Sequence, residues 1–183
     1  MIRTALPTDL DAIAALHSRA RATYYRDRLP EDAYAGEDEL ARSREGWSHA
    51  VARSDGSDGG DGSDGSGGKG AGGGSGGAGE TGGVLCAEQD GELTGVAAFR
   101  TVAGETTLTQ LHVDPAHWRR GTGAALHAAC LERWRRAGVP RVRLEVYEHN
   151  LRAQAFYAAH GWRPDPLAPR AGSHHVLWLT VGE

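Results

Sequence analysis

The chain has 183 residues, enough to bury one substantial core. Apolar residues make up 39 % and the formal charge is −4, a surplus that comes from one glycine-rich block; the rest of the chain balances. Neither a nucleic-acid surface nor an acidic scavenger follows from that balance, so no nucleic-acid partner is expected; no stretch approaches the ~20 apolar residues of a membrane helix, nor does MIRTALPTDLD hold a signal core, so a cytoplasmic chain is expected.

In chain order, MIRTAL reads as a strand and PTDLDAIAALHSRARATYY as a helix, with Thr8 and Asp11 at capping-box spacing. EDELARSREGWSHAVA is a second helix. Residues 54–83 follow, in which 16 of 30 residues are glycine and five are serine. That composition cannot bury enough apolar surface to offset the entropy of ordering, which predicts a disordered insertion within a single domain spanning 1–183.

VLCAEQ and LTGVAAFR around DGE predict a hairpin, and TTLTQLHV a further strand stopped at Asp114-Pro115. A helix from Thr122 to Ala137 presents Leu126, Cys130, Leu131, Trp134 and Ala137 on one face and ends at Gly138. RVRLEVY is a strand, Asn150 caps the helix LRAQAFYAAH, and HHVLWLTV is the last strand. The order β-α-α-β-β-β-α-β-α-β predicts a mixed α/β fold around one sheet, antiparallel first and with a β-α-β crossover later.

The stretch WRRGTGAAL joins a strand to a helix through a basic, glycine-bearing loop. The first amides of a helix have no partner within it and the dipole favours negative charge, so such a loop is a generic anion site; the alternative is a tight turn flanked by solvated arginines. It lacks the lysine of a phosphate-binding P-loop and the third glycine of a dinucleotide fingerprint. Cys86 and Cys130 are expected as buried thiols, and His174-His175 as strand residues, since no third metal ligand has useful spacing.

Together, VDPAHWRRGTGAAL and LEVYEHNLRAQAFYAAHGW resemble the GNAT superfamily of acetyl-CoA-dependent N-acetyltransferases. The match rests on the Gly-x-Gly loop and on Asn150, Ala153, Phe156, Tyr157, Gly161 and Trp162, and is strongest from Leu111 to Trp162. It departs at Trp118, where the family usually carries Gln or Arg. The resemblance implies a GNAT fold and acetyl transfer from acetyl-CoA to a primary amine in a ternary complex. The acceptor would be a small molecule or a peptide or protein amine, and monomer and homodimer stay open.

By the same resemblance, Arg119, Arg120, Gly121, Thr122, Gly123 and Ala124 would hold the pyrophosphate of coenzyme A. The backbone of Leu111, His112 and Val113 would pair with the pantetheine arm, a bulge there opening a slot, and Asn150 would contact that arm or act as a plain N-cap. Tyr157 would protonate the leaving thiolate. Glu145 would be the general base or, on the alternative reading, a strand carboxylate paired with Arg143 or Arg141, with Glu148 a weaker substitute. The functional alternative is a non-catalytic acyl-CoA-binding or regulatory module on the same fold.

Overall fold

The computed structural model describes residues 1–54 and 81–182. Its elements run β1 (Ile2–Thr4), α1 (Leu10–Tyr25), α2 (Asp32–Ala35), α3 (Glu37–Ser54), β2 (Thr81–Gln89), β3 (Glu92–Val102), β4 (Glu105–Val113), α4 (Thr122–Arg136), β5 (Arg141–Tyr147), α5 (Leu151–Ala159), β6 (Arg163–Pro164), β7 (Arg170–Ala171) and β8 (His174–Thr180). The expected elements are present, with α2, β6 and β7 in addition. The expected insertion lies outside the described residues except at its edges, where Ser54 ends α3 and Thr81–Gly83 open β2.

One sheet carries the strands in the order β1-β2-β3-β4-β5-β8-β6, with β7 beside β8. The β4–β5 pair is parallel and the other pairs are antiparallel. This is a mixed α/β fold with helices on both faces. On one face Val84, Cys86, Val96 and Ala98 pack against Ile13 and Leu16 of α1 and Trp47 and Val51 of α3. On the other, Leu85, Ala97, Leu108, Val142 and Leu144 pack against Leu126, Cys130 and Trp134 of α4 and Tyr157 of α5. Each fully buried Leu or Val on these faces contributes about 1.5–3 kcal/mol. Both cysteines are free and buried, and burial pushes each thiol up to about 12.

Two local expectations are revised. Thr8 and Asp11 do not form the cap: Asp9 accepts from the Leu6 amide at 2.7 Å and is gripped by the Arg3 guanidinium. The inward face of α4 includes His127, 2 % exposed, whereas Leu131 is only partly buried.

The sheet is divided by one residue. Between Ala98/Phe99 and their partners the β3–β4 register shifts, so that Ala98 opposes Gln110 and Phe99 opposes Leu108. Thr109 is the extra residue of a β-bulge, and its hydroxyl donates to the Ala98 carbonyl at 3.0 Å. On the other side, β4 pairs with β5 only at Thr106, Thr107 and Leu108. Beyond the bulge the two parallel strands part.

Candidate active site

The parting of β4 and β5 opens a cavity of about 780 Å³. One wall is Thr109 to Val113, the other Glu145, Val146 and Tyr147. Leu111, His112 and Val113 pair with Ala97, Val96 and Gly95 of β3, and among the described residues no strand pairs with them on the β5 side. A strand edge inside a cavity offers amides and carbonyls to an extended ligand.

At the head of the cavity stands the loop before α4. Asp114 starts it: its carboxylate accepts from the Ala116 amide at 2.9 Å and from Arg19 Nε and Nη2 at 2.9 and 2.6 Å. Burial raises the Asp114 pKa, but these donors outweigh it and hold the carboxyl below its ordinary range. Trp118 Nε1 donates to the Val113 carbonyl at 2.9 Å, folding the loop back on its strand. Arg119 (φ +62°) and Gly121 (φ +83°) are both left-handed, which turns successive amides toward one side.

Gly121 is the N-cap of α4, and among the described residues no side chain caps the helix. The Ala125 amide is the first to find a helical acceptor, the Gly121 carbonyl. Among the described residues, no protein group accepts from the amides of Arg119 to Ala124. Bare amides, the helix dipole and exposed arginines make this end electropositive. Arg119, Gly121, Thr122, Gly123 and Ala124 line the cavity; Arg120 is exposed beside it but outside its lining.

Tyr157 reaches the cavity from α5 and is 8 % exposed. Burial first, then the neighbouring Cys130 and Tyr24, pushes its phenol well above the ordinary tyrosine value, so it stays protonated. Among the described residues its hydroxyl has no hydrogen-bond partner. Tyr157 is thus a buried proton donor, without a partner among the described residues, that opens onto the cavity. Asn150 also lines it, but its Oδ1 already accepts from the Ala153 amide at 3.1 Å, so the N-cap role is present.

Glu145 lies on the edge of the cavity, its side chain 40 % exposed and paired with Arg143 Nη2 at 2.8 Å. The ion pair foreseen as the structural alternative is therefore formed, although Glu145 also counts among the residues lining the cavity. Glu148 is tied to Arg170 and does not line the cavity.

Several lining residues carry no signature in the local sequence. His17, Arg21, Tyr24 and Tyr25 come from α1, facing Tyr147 and His174. His112 Nε2 lies 2.6 Å from Gln110 Oε1, and its ring is 4.6 Å from that of His17. Burial lowers both imidazoles, His17 to about 4, so both are neutral at pH 7. Arg152 from α5 lies over Trp118.

Residues 76–162 match the model of the Acetyltransferase (GNAT) family. The chain is 34 % identical over 74 residues to the [ribosomal protein bS18]-alanine N-acetyltransferase of Escherichia coli K12, a match covering 40 % of this chain and 50 % of that one. It is likewise 34 % identical over 94 residues to an uncharacterized N-acetyltransferase of Mycobacterium tuberculosis H37Rv, covering 50 % and 60 %. The chain thus spans about half the length of the curated relatives it matches. The fold superposes on the PaiA N-acetyltransferase of Thermoplasma acidophilum, solved in complex with coenzyme A, with a TM-score of 0.78 at 18 % identity over 98 % of both chains. The parted parallel strands and the bare-amide loop both fall inside residues 76–162, the stretch of this chain that matches the GNAT acetyltransferase family.

Proposed function

We propose that the chain is an acetyl-CoA-dependent N-acetyltransferase, a single domain that moves an acetyl group to a primary amine by direct attack on the thioester. One observation carries this reading. An electropositive loop of unpartnered amides, an unpaired strand edge and a protonated, uncommitted phenol open into one cavity. That combination fits a long ligand with a phosphorylated end, an amide-bearing arm and a sulfur leaving group.

In this reading the amides of Arg119 to Ala124, with Arg119 and Arg120, hold the diphosphate of coenzyme A. The backbone of Leu111, His112 and Val113 pairs with the pantetheine arm, and the amide near Val113 polarises the thioester carbonyl. Asn150 braces the facing wall. The thioester supplies an activated acetyl group when bound. Tyr157 donates its proton to the departing sulfur, for which a neutral phenol in a dry site is suited. Glu145, at the cavity edge, takes the proton of the incoming ammonium, directly or through water.

The acceptor enters against Tyr24, Tyr25, Tyr147 and His174, a wall suited to a small-molecule amine or the end of a peptide. Release of free thiol from acetyl-CoA with a broad panel of amines and peptide N-termini tests the activity. Tight coenzyme A binding without thiol release across that panel would favour the non-catalytic acyl-CoA module instead.

A further inference from the structure

We propose that Arg152 binds a phosphate of coenzyme A, using the indole of Trp118 as its platform. The inference rests on the coenzyme A reading above and adds to it a residue from outside the loop. The Arg152 guanidinium lies 3.0 Å from the centroid of the Trp118 ring, and both line the cavity. The platform is fixed, because the indole N–H is spent on the Val113 carbonyl. Trp118 also belongs to the loop that bears the bare amides, so Arg152 is held beside them.

Stacking uses the face of a guanidinium and leaves the N–H groups on its edge free. Among the described residues Arg152 has no carboxylate partner. Three arginines line the cavity. Arg21 is paired with Glu39, whereas Arg119 and Arg152 pair with no acid among the described residues. Arg152 also stands in the first turn of α5, two residues after the Asn150 cap, where the helix dipole disfavours a cation. Covering by its neighbours lowers its guanidinium pKa, a further penalty on the charge. A bound anion offsets both, and planar N–H edges suit phosphate oxygens.

Calorimetric titration with coenzyme A across a salt series tests this in the wild type, Arg152→Gln, Trp118→Leu and the double variant. At low salt Arg152→Gln weakens affinity by about 10-fold, the scale of one charge-assisted hydrogen bond, and the gap narrows as salt rises. Trp118→Leu gives a similar loss, and the double variant is no worse than Arg152→Gln. Arg152→Lys keeps the charge and recovers part of the loss; it also replaces the glutamine variant should that one misfold. Unchanged affinity, or an equal loss at every salt concentration, overturns the phosphate role; additive losses in the double variant overturn the platform. Wild type that fails to bind, or Gly121→Glu that binds normally, strikes instead at the coenzyme A reading. Normal wild-type binding, abolished by Gly121→Glu and untouched by Arg152→Gln, sinks this inference alone.

Discussion

Trp162 Nε1 donates to Nε2 of His127 across 3.0 Å, and both side chains are buried between α4 and the sheet. The bond needs His127 neutral, with its proton on Nδ1. Burial, assisted by His160, lowers the imidazole to about 4 from an ordinary 6.5. Unfolded chains take up that proton near pH 6.5 and the folded one only near 4, so this contribution to stability is full above 6.5 and is lost as pH falls toward 4. The loss reaches about 3 kcal/mol for the single site. Thermal unfolding from pH 7 to 4 should show the wild type losing more than His127→Gln, whose amide oxygen can still accept from Trp162. Parallel curves would remove His127 as the source.

Tyr157→Phe removes one hydroxyl that has no partner among the described residues, so the melting temperature should hold. Turnover with acetyl-CoA should fall by about 10-fold to 10³-fold while coenzyme A affinity changes little, the pattern of a lost general acid. Equal kcat in both proteins would take Tyr157 out of the chemistry.

Gly121→Glu should abolish coenzyme A binding. A Cβ there meets nothing within 4 Å, so the lesion is not steric. It is a negative charge at the bare amides, plus backbone strain of about 1–2 kcal/mol at φ +83°. Gly121→Asn, which tolerates that conformation, should bind better than the glutamate variant at comparable stability, as calorimetry and melting curves would show.

Glu145→Gln keeps the size of the side chain and gives up its charge. If Glu145 accepts the amine proton, kcat/KM falls by about 10²-fold and coenzyme A affinity is retained. If it serves only Arg143, activity persists and stability changes by under 1 kcal/mol, the usual worth of an exposed ion pair.

Gly95 sets how closely α4 sits on the sheet. A Cβ on it would lie 2.8 Å from Leu126 Cδ1, 3.0 Å from Thr122 Cγ2 and 3.1 Å from the His112 carbonyl. Gly95→Val should destabilise the fold by about 1–3 kcal/mol through overpacking. Because Thr122 opens the anion-binding turn, coenzyme A affinity should fall as well. Chemical denaturation and calorimetry on one preparation separate the two effects.

Much of this was legible beforehand, for local reasons. Alternation in RVRLEVY, the stop at Gly138 and the Asn150 cap each depend on a few neighbouring residues. The loop from Arg119 to Ala124 was legible because helix ends and glycine obey general rules. The place of the bulge was not: TTLTQLHV reads as a continuous strand, the resemblance implied a bulge at Leu111 to Val113, and Thr109 becomes the extra residue only against Ala98 of another strand. Arg19 and Asp114 meet across 95 positions, and Arg152 and Trp118 belong to different elements. The short strands Arg163–Pro164 and Arg170–Ala171 exist because β8 supplies their partners. Such contacts are products of the fold.

The Ser54 hydroxyl accepts from the Val84 amide at 3.2 Å, so the last turn of α3 and the start of β2 are stitched together in space. A chain opened between them need not lose that stitch. Residues 1–54 bring Ile13, Leu16, Trp47 and Val51 to one layer of apolar packing, and the remainder brings the sheet surface that receives them. The protein is thereby suited to being supplied as two complementary fragments cut at this seam.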